Sequence, residues 1–288
     1  MQAPSQQKQY RFISLLVVMG LLGLILFECD LAPSEPKIEN PIDTTEWVGG
    51  EPDIPPSFDA LIADIDGVSL STDSLIVSWS GNLPTMDFRY RLDANDWSIW
   101  APDTFKLLKY LDEGDHQFDL EVRYKDVDAA IADTSFAFTV DAVSGPALLI
   151  EPKNTIISSG TEFSVNVNLE EVTTLLAVHP VIRFDSNKIR LEHVDVLSSS
   201  TDLLRANAAQ VVPVVDESQA GVIDVNLAIA QYTNAAITGS GAILRLSFMP
   251  LTAGTHHITF DPVSSFISTD LQVVSINEMV SGRVEVTQ

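Results

Sequence analysis

The chain has 288 residues, 40 of them Asp or Glu and 16 Lys or Arg, for a formal net charge of −24. A surface of that sign repels nucleic acid and anionic lipid headgroups, so neither is expected as a ligand. With one cysteine, Cys29, no intrachain disulfide can form, and the folded parts must rest on apolar cores, for which the length is ample.

Residues 1–29 concern location. Lys8 and Arg11 precede an apolar run from Phe12 to Phe27, and Cys29 follows two residues later. A basic segment ahead of an apolar one of this size reads as an export signal. The cysteine at that spot resembles the acylation site of bacterial lipoproteins, which implies lipidation of Cys29 after cleavage. Leu26-Phe27-Glu28 departs from the small residues that family places before its cysteine. The other reading of 1–29 is an uncleaved helical anchor, somewhat short of the ~20 residues a span usually takes. Both readings leave the chain membrane-anchored and extracytoplasmic, on the outer surface of a bacterial cell.

Residues 30–56 hold six prolines, seven acids and one base, with no apolar period. This is a disordered acidic linker, reaching ~30 Å as coil and ~80 Å as polyproline helix.

Residues 57–142 show strand alternation. Leu75, Val77 and Trp79 form one set, Phe88, Tyr90 and Leu92 a second, Phe118, Leu120, Val122 and Tyr124 a third, and Phe136, Phe138 and Val140 a fourth. About seven short strands in about 85 residues suit an immunoglobulin or fibronectin-like β-sandwich. Phe88-Arg89-Tyr90-Arg91-Leu92-Asp93, Trp97-Ser98-Ile99-Trp100, Leu111–Phe118 and Phe136–Asp141 together resemble the triple-tyrosine class of Ig-like domains, over residues ~70–142. That resemblance implies a fold and a spacer or sensor setting. Asp141–Ala147, with Gly145-Pro146, reads as a short hinge that keeps the two sandwiches close.

Residues 146–288 alternate again. Phe163, Val165, Val167 and Leu169 form one run, Ile223, Val225, Leu227 and Ile229 another, and Leu244, Leu246 and Phe248 a third. Turn residues separate them at Ser158-Ser159-Gly160, Asp185-Ser186-Asn187, Gly239-Ser240-Gly241 and Ala253-Gly254-Thr255. Four blocks in order resemble cohesin domains: Gly160–Phe163 before a strand, Val181–Ile189, Gly239–Phe248, and Gly254 through His257–Asp261 with Gly282–Val286 at the end. The expected class is therefore all-β, with two β-sandwich domains, Ig/fibronectin-like and then a cohesin-like nine-stranded jelly roll, after an N-terminal signal or anchor helix. The resemblance further implies a non-catalytic module that binds a dockerin-containing protein.

Catalytic and metal chemistry find little support. His256 and His257 are neighbours in a strand and point to opposite faces, His116 follows a turn and is expected to be solvated, and no His-x-x-x-His spacing occurs. Gly239-Ser240-Gly241 lacks the Gly-x-Ser-x-Gly pattern and reads as a hairpin turn. Asp64-Ile65-Asp66-Gly67 and Asp93-Ala94-Asn95-Asp96 lack the later oxygen ligands of a calcium loop and read as β-turns. No cofactor and no metal are expected.

Parity in 175–184 turns Val178, Ile182 and Phe184 inward and Ala177, His179, Val181 and Arg183 outward, with Leu271 and Val273 outward on a late strand. The resemblance makes this the partner-binding face, bordered by Gln231 and Tyr232. Cohesins commonly carry Asn and Asp where Ala177 and His179 stand, and Glu at Val273. Losing three charge-assisted hydrogen bonds at ~1.5–3 kcal/mol each removes a partner that needs them, so the resemblance implies a more hydrophobic dockerin class. A structural surface or matrix protein and a carbohydrate-binding module are the alternatives. A polysaccharide ligand would want an aromatic platform, and Tyr232 is the one tyrosine of the second domain.

Overall fold

Period-two alternation becomes strand after strand in the computed structural model, which describes residues 58–60, 66–82, 85–125, 130, 132–197, 199, 202–206, 210–230 and 236–288. The signal or anchor segment with Cys29, the linker 30–56, and Gln231 and Tyr232 lie outside the described residues.

The first sandwich has seven strands: β1 (Phe58–Ala60), β2 (Ser69–Leu70), β3 (Ser74–Gly81), β4 (Met86–Leu92), β5 (Phe105–Lys109), β6 (Gly114–Tyr124) and β7 (Ala132–Val140). One sheet runs β1-β3-β5 and the other β2-β7-β6-β4, with β2 parallel to β7. The inward residues Val77, Trp79, Phe88, Phe118, Leu120, Val122 and Phe138 are all buried between them. Trp79 sits 6.1 Å from the Phe88 ring and donates its indole N–H to the Asp103 carbonyl at 2.9 Å, so its one polar atom is satisfied.

The outward face of β4 and β6 carries a ladder. Arg91, Arg89 and Arg123 alternate with Trp97 and Trp100, each guanidinium 4.5 to 4.8 Å from an indole centroid. Cross-strand register sets Arg89 opposite Glu121 and Arg91 opposite Asp119, at 2.6 and 2.7 Å. Such contacts contribute ~0.5–1 kcal/mol each near a surface and fasten the irregular 93–104 segment to the sheet.

The second sandwich contains β8 (Ala147–Glu151), β9 (Asn154–Ser158), β10 (Phe163–His179), β11 (Val181–Phe184), β12 (Ile189–Val196), a one-turn helix α1 (Leu203–Ala206), β13 (Val211–Asp216), β14 (Val222–Ile229), β15 (Ile237–Pro250), β16 (Gly254–Phe260), β17 (Ser265–Ser268), β18 (Val273–Val274), β19 (Glu278–Val280) and β20 (Gly282–Thr287). The long strand β10 serves both layers. Its first half pairs with β15 and β8, and its second half with β14 and β17. Register shifts between Val167 and Leu175 bend it from one sheet into the other. The three alternating runs are buried as expected and meet in a single core, where Phe248 stacks on Phe163 at 5.7 Å and meets the Phe184 edge at 5.2 Å. Pro180 falls in the break between β10 and β11, where its missing N–H interrupts no ladder.

Two expectations change here. Gly239-Ser240-Gly241 is not a hairpin turn but part of β15, opposite the bulges of β10. Gly241 lies at φ +149, and a Cβ there would come within 3.3 Å of the Leu203 Cβ of α1. His116 is buried rather than solvated. Its Nδ1 lies 2.9 Å from Asp93 Oδ2 and its Nε2 2.9 Å from the Asp112 carbonyl.

The connection after β7 is bonded to both sandwiches. Ala142 donates its N–H to Glu113 at 2.8 Å, Gly145 to Glu171 at 2.9 Å, and Val143 is buried against Ala147 and Leu149.

Candidate docking face

Antiparallel register decides which side chains stand side by side on a sheet. On the outer face of the second sandwich, Val212 of β13 is opposite Ala228 of β14, Ala228 opposite Ala177 of β10, Ala177 opposite Ile267 of β17, and Ile267 opposite Val273 of β18. Cross-strand partners share a face, so these five residues form one apolar row across five strands. Val273 is 74% exposed and Val212 49%, Ala228 is exposed too, and Ala177 and Ile267 are half-buried between them. Leu271, 66% exposed, stands in the turn two residues before Val273.

Leu271 reaches that place at φ +62, in a turn closed by its N–H donating to the Ser268 carbonyl at 3.0 Å. A leucine with positive φ is an uncommon, costly arrangement for a branched side chain. Its exposure means that no core contact in the fold offsets that cost.

Polar groups flank the row. His179 Nε2 lies 2.8 Å from Asp224 Oδ1, and the Asn226 amide donates to the same oxygen at 3.2 Å. Arg183 is exposed and pairs with Asp261. The Val263 N–H, and then the Arg183 guanidinium, hold the Asp261 carboxyl below the usual carboxylate range.

Register sets Ala177, His179, Arg183 and Val273 on one face of the sheet, while Leu271 is exposed in the turn before β18. Val181 is a correction: although in register with Asp224, it is 3% exposed. The turn Asp261–Ser264 takes both its backbone groups, Val181 donating to Ser264 Oγ at 3.0 Å and accepting from Asp261 N–H at 2.7 Å, and closes around it. Val212, Ala228 and Ile267 escaped sequence reasoning. Among the described residues no group of three His, Cys, Asp or Glu side chains is placed to hold a metal ion, and no helix is long and apolar enough to cross a membrane.

The described residues define an all-β chain of two sandwiches, the second presenting an apolar sheet face. No family model and no curated protein matches the chain. Solved cohesin structures do match part of it. A non-cellulosomal cohesin from Archaeoglobus fulgidus is 15% identical with a TM-score of 0.40, over 49% of this chain and 91% of that one. A type I cohesin–dockerin complex from Clostridium thermocellum is 19% identical with a TM-score of 0.40, over 49% of this chain and 98% of that one. A scaffoldin cohesin from Acetivibrio cellulolyticus in complex with a dockerin is 17% identical with a TM-score of 0.41, over 50% of this chain and 100% of that one.

Proposed function

We propose that this chain is an exported, membrane-tethered, non-catalytic scaffold protein whose C-terminal sandwich docks a dockerin-bearing protein. The observation that carries the docking role is the apolar row Val212–Ala228–Ala177–Ile267–Val273. The dockerin partner follows from the four cohesin-like blocks of the sequence.

Strands lie about 4.8 Å apart, so five of them carry the row over about 19 Å. An α-helix advances about 5.4 Å per turn. A helix laid across the strands therefore sets one turn over roughly each strand, and an apolar stripe at i, i+3/i+4, i+7 along it covers the row. His179, Asp224 and Asn226 form a polar rim that fixes register. Apolar anchors replace the charge-assisted contacts of other cohesins, which selects a partner whose own contact residues are aliphatic.

The test is capture from the secreted fraction of the source organism, with residues 57–288 as bait beside the same bait carrying Ala177→Asp and Val273→Glu. Recovery of dockerin-containing proteins by the native bait, lost with the double variant, supports the reading. Recovery of none by either bait contradicts it and leaves a structural surface protein.

A further inference from the structure

Glu151 ends β8 on the side of the sheet that meets the first sandwich. Register puts Ala147, Leu149 and Glu151 of β8 on one face with Asn166, Asn168 and Glu170 of β10. Ala147 and Leu149 are fully buried there with Val143 and Val280. Glu151 continues this contact with a carboxyl group. Its Oε1 accepts the Glu113 backbone N–H at 3.1 Å, across the junction, and its Oε2 lies against the Asn168 amide.

The surrounding charge is lopsided. Asp112 and Glu113 act on Glu151 from the turn before β6, with Lys153 as the cation, and Asp141 of the connecting segment and Glu171 add negative charge around Glu170, which lines the same cavity. Lys153 Nζ is committed to Glu113 Oε1 at 2.7 Å, in a pair almost wholly out of water. Ser240 donates its hydroxyl to Glu170 at 2.7 Å, and Gly145 its N–H to Glu171. Among the described residues no cation pairs directly with Glu151, and Lys153 acts on it only from a distance. Asn168 Oδ1, meanwhile, is buried with no donor. A turn of the amide about its last bond brings Oδ1 to Glu151 Oε2, where a neutral carboxyl has a proton to donate. A cavity of 390 Å³ lined by Glu113, Asp141, Glu151, Asn168, Glu170 and Ser240 adjoins the contact and gives that proton a route to solvent.

We propose that the junction is a proton-operated latch, in which a neutral Glu151, bonded to Glu113 N–H and Asn168, fastens the first sandwich to the second, and its ionisation lets the two part.

Desolvation, aided by Asp112 and Glu113, pushes the Glu151 carboxyl up from its ordinary 4.5 to about 7. A glutamate released into water ionises near its ordinary value. The fastened state therefore has its full advantage below that value and loses it as pH rises toward and through about 7. Neighbouring groups bias it the same way. Burial raises Asp112 and Glu170, while His116, whose raising partners Asp112 and Asp93 belong to its own sandwich, keeps them whether or not the two part. The latch sets the orientation in which the outer domain is held, independently of what that domain binds.

Amide hydrogen exchange on the full chain in detergent, corrected for the intrinsic rate, reads the latch at the N–H groups of Glu113, Ala142, Val143, Gly145 and Lys153. Their protection is expected to fall by about tenfold or more between pH 5.5 and 8, while the amides of β10 and β15 keep theirs. Glu151→Gln, the neutral isostere, is expected to hold the protection at both pH values. Asn168→Ala is expected to shift the loss to lower pH. Equal protection of the wild-type junction at both pH values, or a Glu151→Gln variant that opens with pH as the wild type does, overturns the proposal. If Glu151→Gln fails to fold, the wild-type profile and that of Asn168→Ala decide it.

Discussion

Ala177 and Ile267 stand opposite each other, ninety positions apart in the chain, and complete the apolar row that crosses the outer sheet. Exposed aliphatics are common singly on any sandwich. Five in unbroken cross-strand register form a surface with direction, and direction is what a docking helix needs.

Ala177→Asp places a charge at the centre of that row without touching the core. The expected result is unchanged stability, within about 0.5 kcal/mol in urea unfolding, and at least a tenfold loss of affinity for the captured partner by calorimetry. A large loss of stability, or undiminished binding, is incompatible with a surface role.

Leu271→Gly separates fold from function in the opposite way. Glycine accepts φ +62 without steric cost, so the chain is expected to be as stable or up to about 1 kcal/mol more stable, while partner binding weakens. Thermal unfolding and titration on the same sample check both halves.

Lys153 and Glu113 form a buried pair, 4% and 9% exposed at their side chains. Removing only the cation, as in Lys153→Met, is expected to cost about 3–5 kcal/mol in denaturant unfolding because it leaves Glu113 charged and unpaired. Adding Glu113→Gln is expected to recover most of that loss, since the amide oxygen still accepts from Ala142 N–H.

His116 lies between two acceptors. A carbonyl and a carboxylate can only accept, so the doubly protonated ring is the form that satisfies both contacts, to Asp112 and Asp93. Its proton affinity is raised above the ordinary 6.5, despite opposing desolvation, by those two acceptors. The stabilisation is complete below that ordinary value and is lost as pH rises through the raised one. The difference in unfolding free energy between wild type and His116→Phe is therefore expected to shrink from pH 5.5 to pH 8.5.

The alternating runs were legible in sequence because burial on one face of a strand is a local pattern. Phe163 to Leu169 and Ile223 to Ile229 needed no knowledge of their partners. Parity likewise placed Val273 outward, whereas Leu271 owes its exposure to the turn that precedes β18. What sequence lacked was register. Val212, Ala228 and Ile267 join the face through pairings between distant strands, and Val212 sits in a Val-rich strand that shows no alternation. Gly239-Ser240-Gly241 carries turn residues, yet it meets bulges in β10 and continues as strand. Val181 obeys parity but is shielded by the Asp261–Ser264 turn, a tertiary contact that no period reveals.

Methyl NMR of residues 57–288, with and without the captured dockerin protein, tests the central claim most directly. The methyl signals of Val212, Ile267, Leu271 and Val273 are expected to shift together while those of Ile76 and Leu107, exposed on the first sandwich, stay in place. Shifts confined to Ile76 and Leu107, with the outer row unmoved, would contradict it.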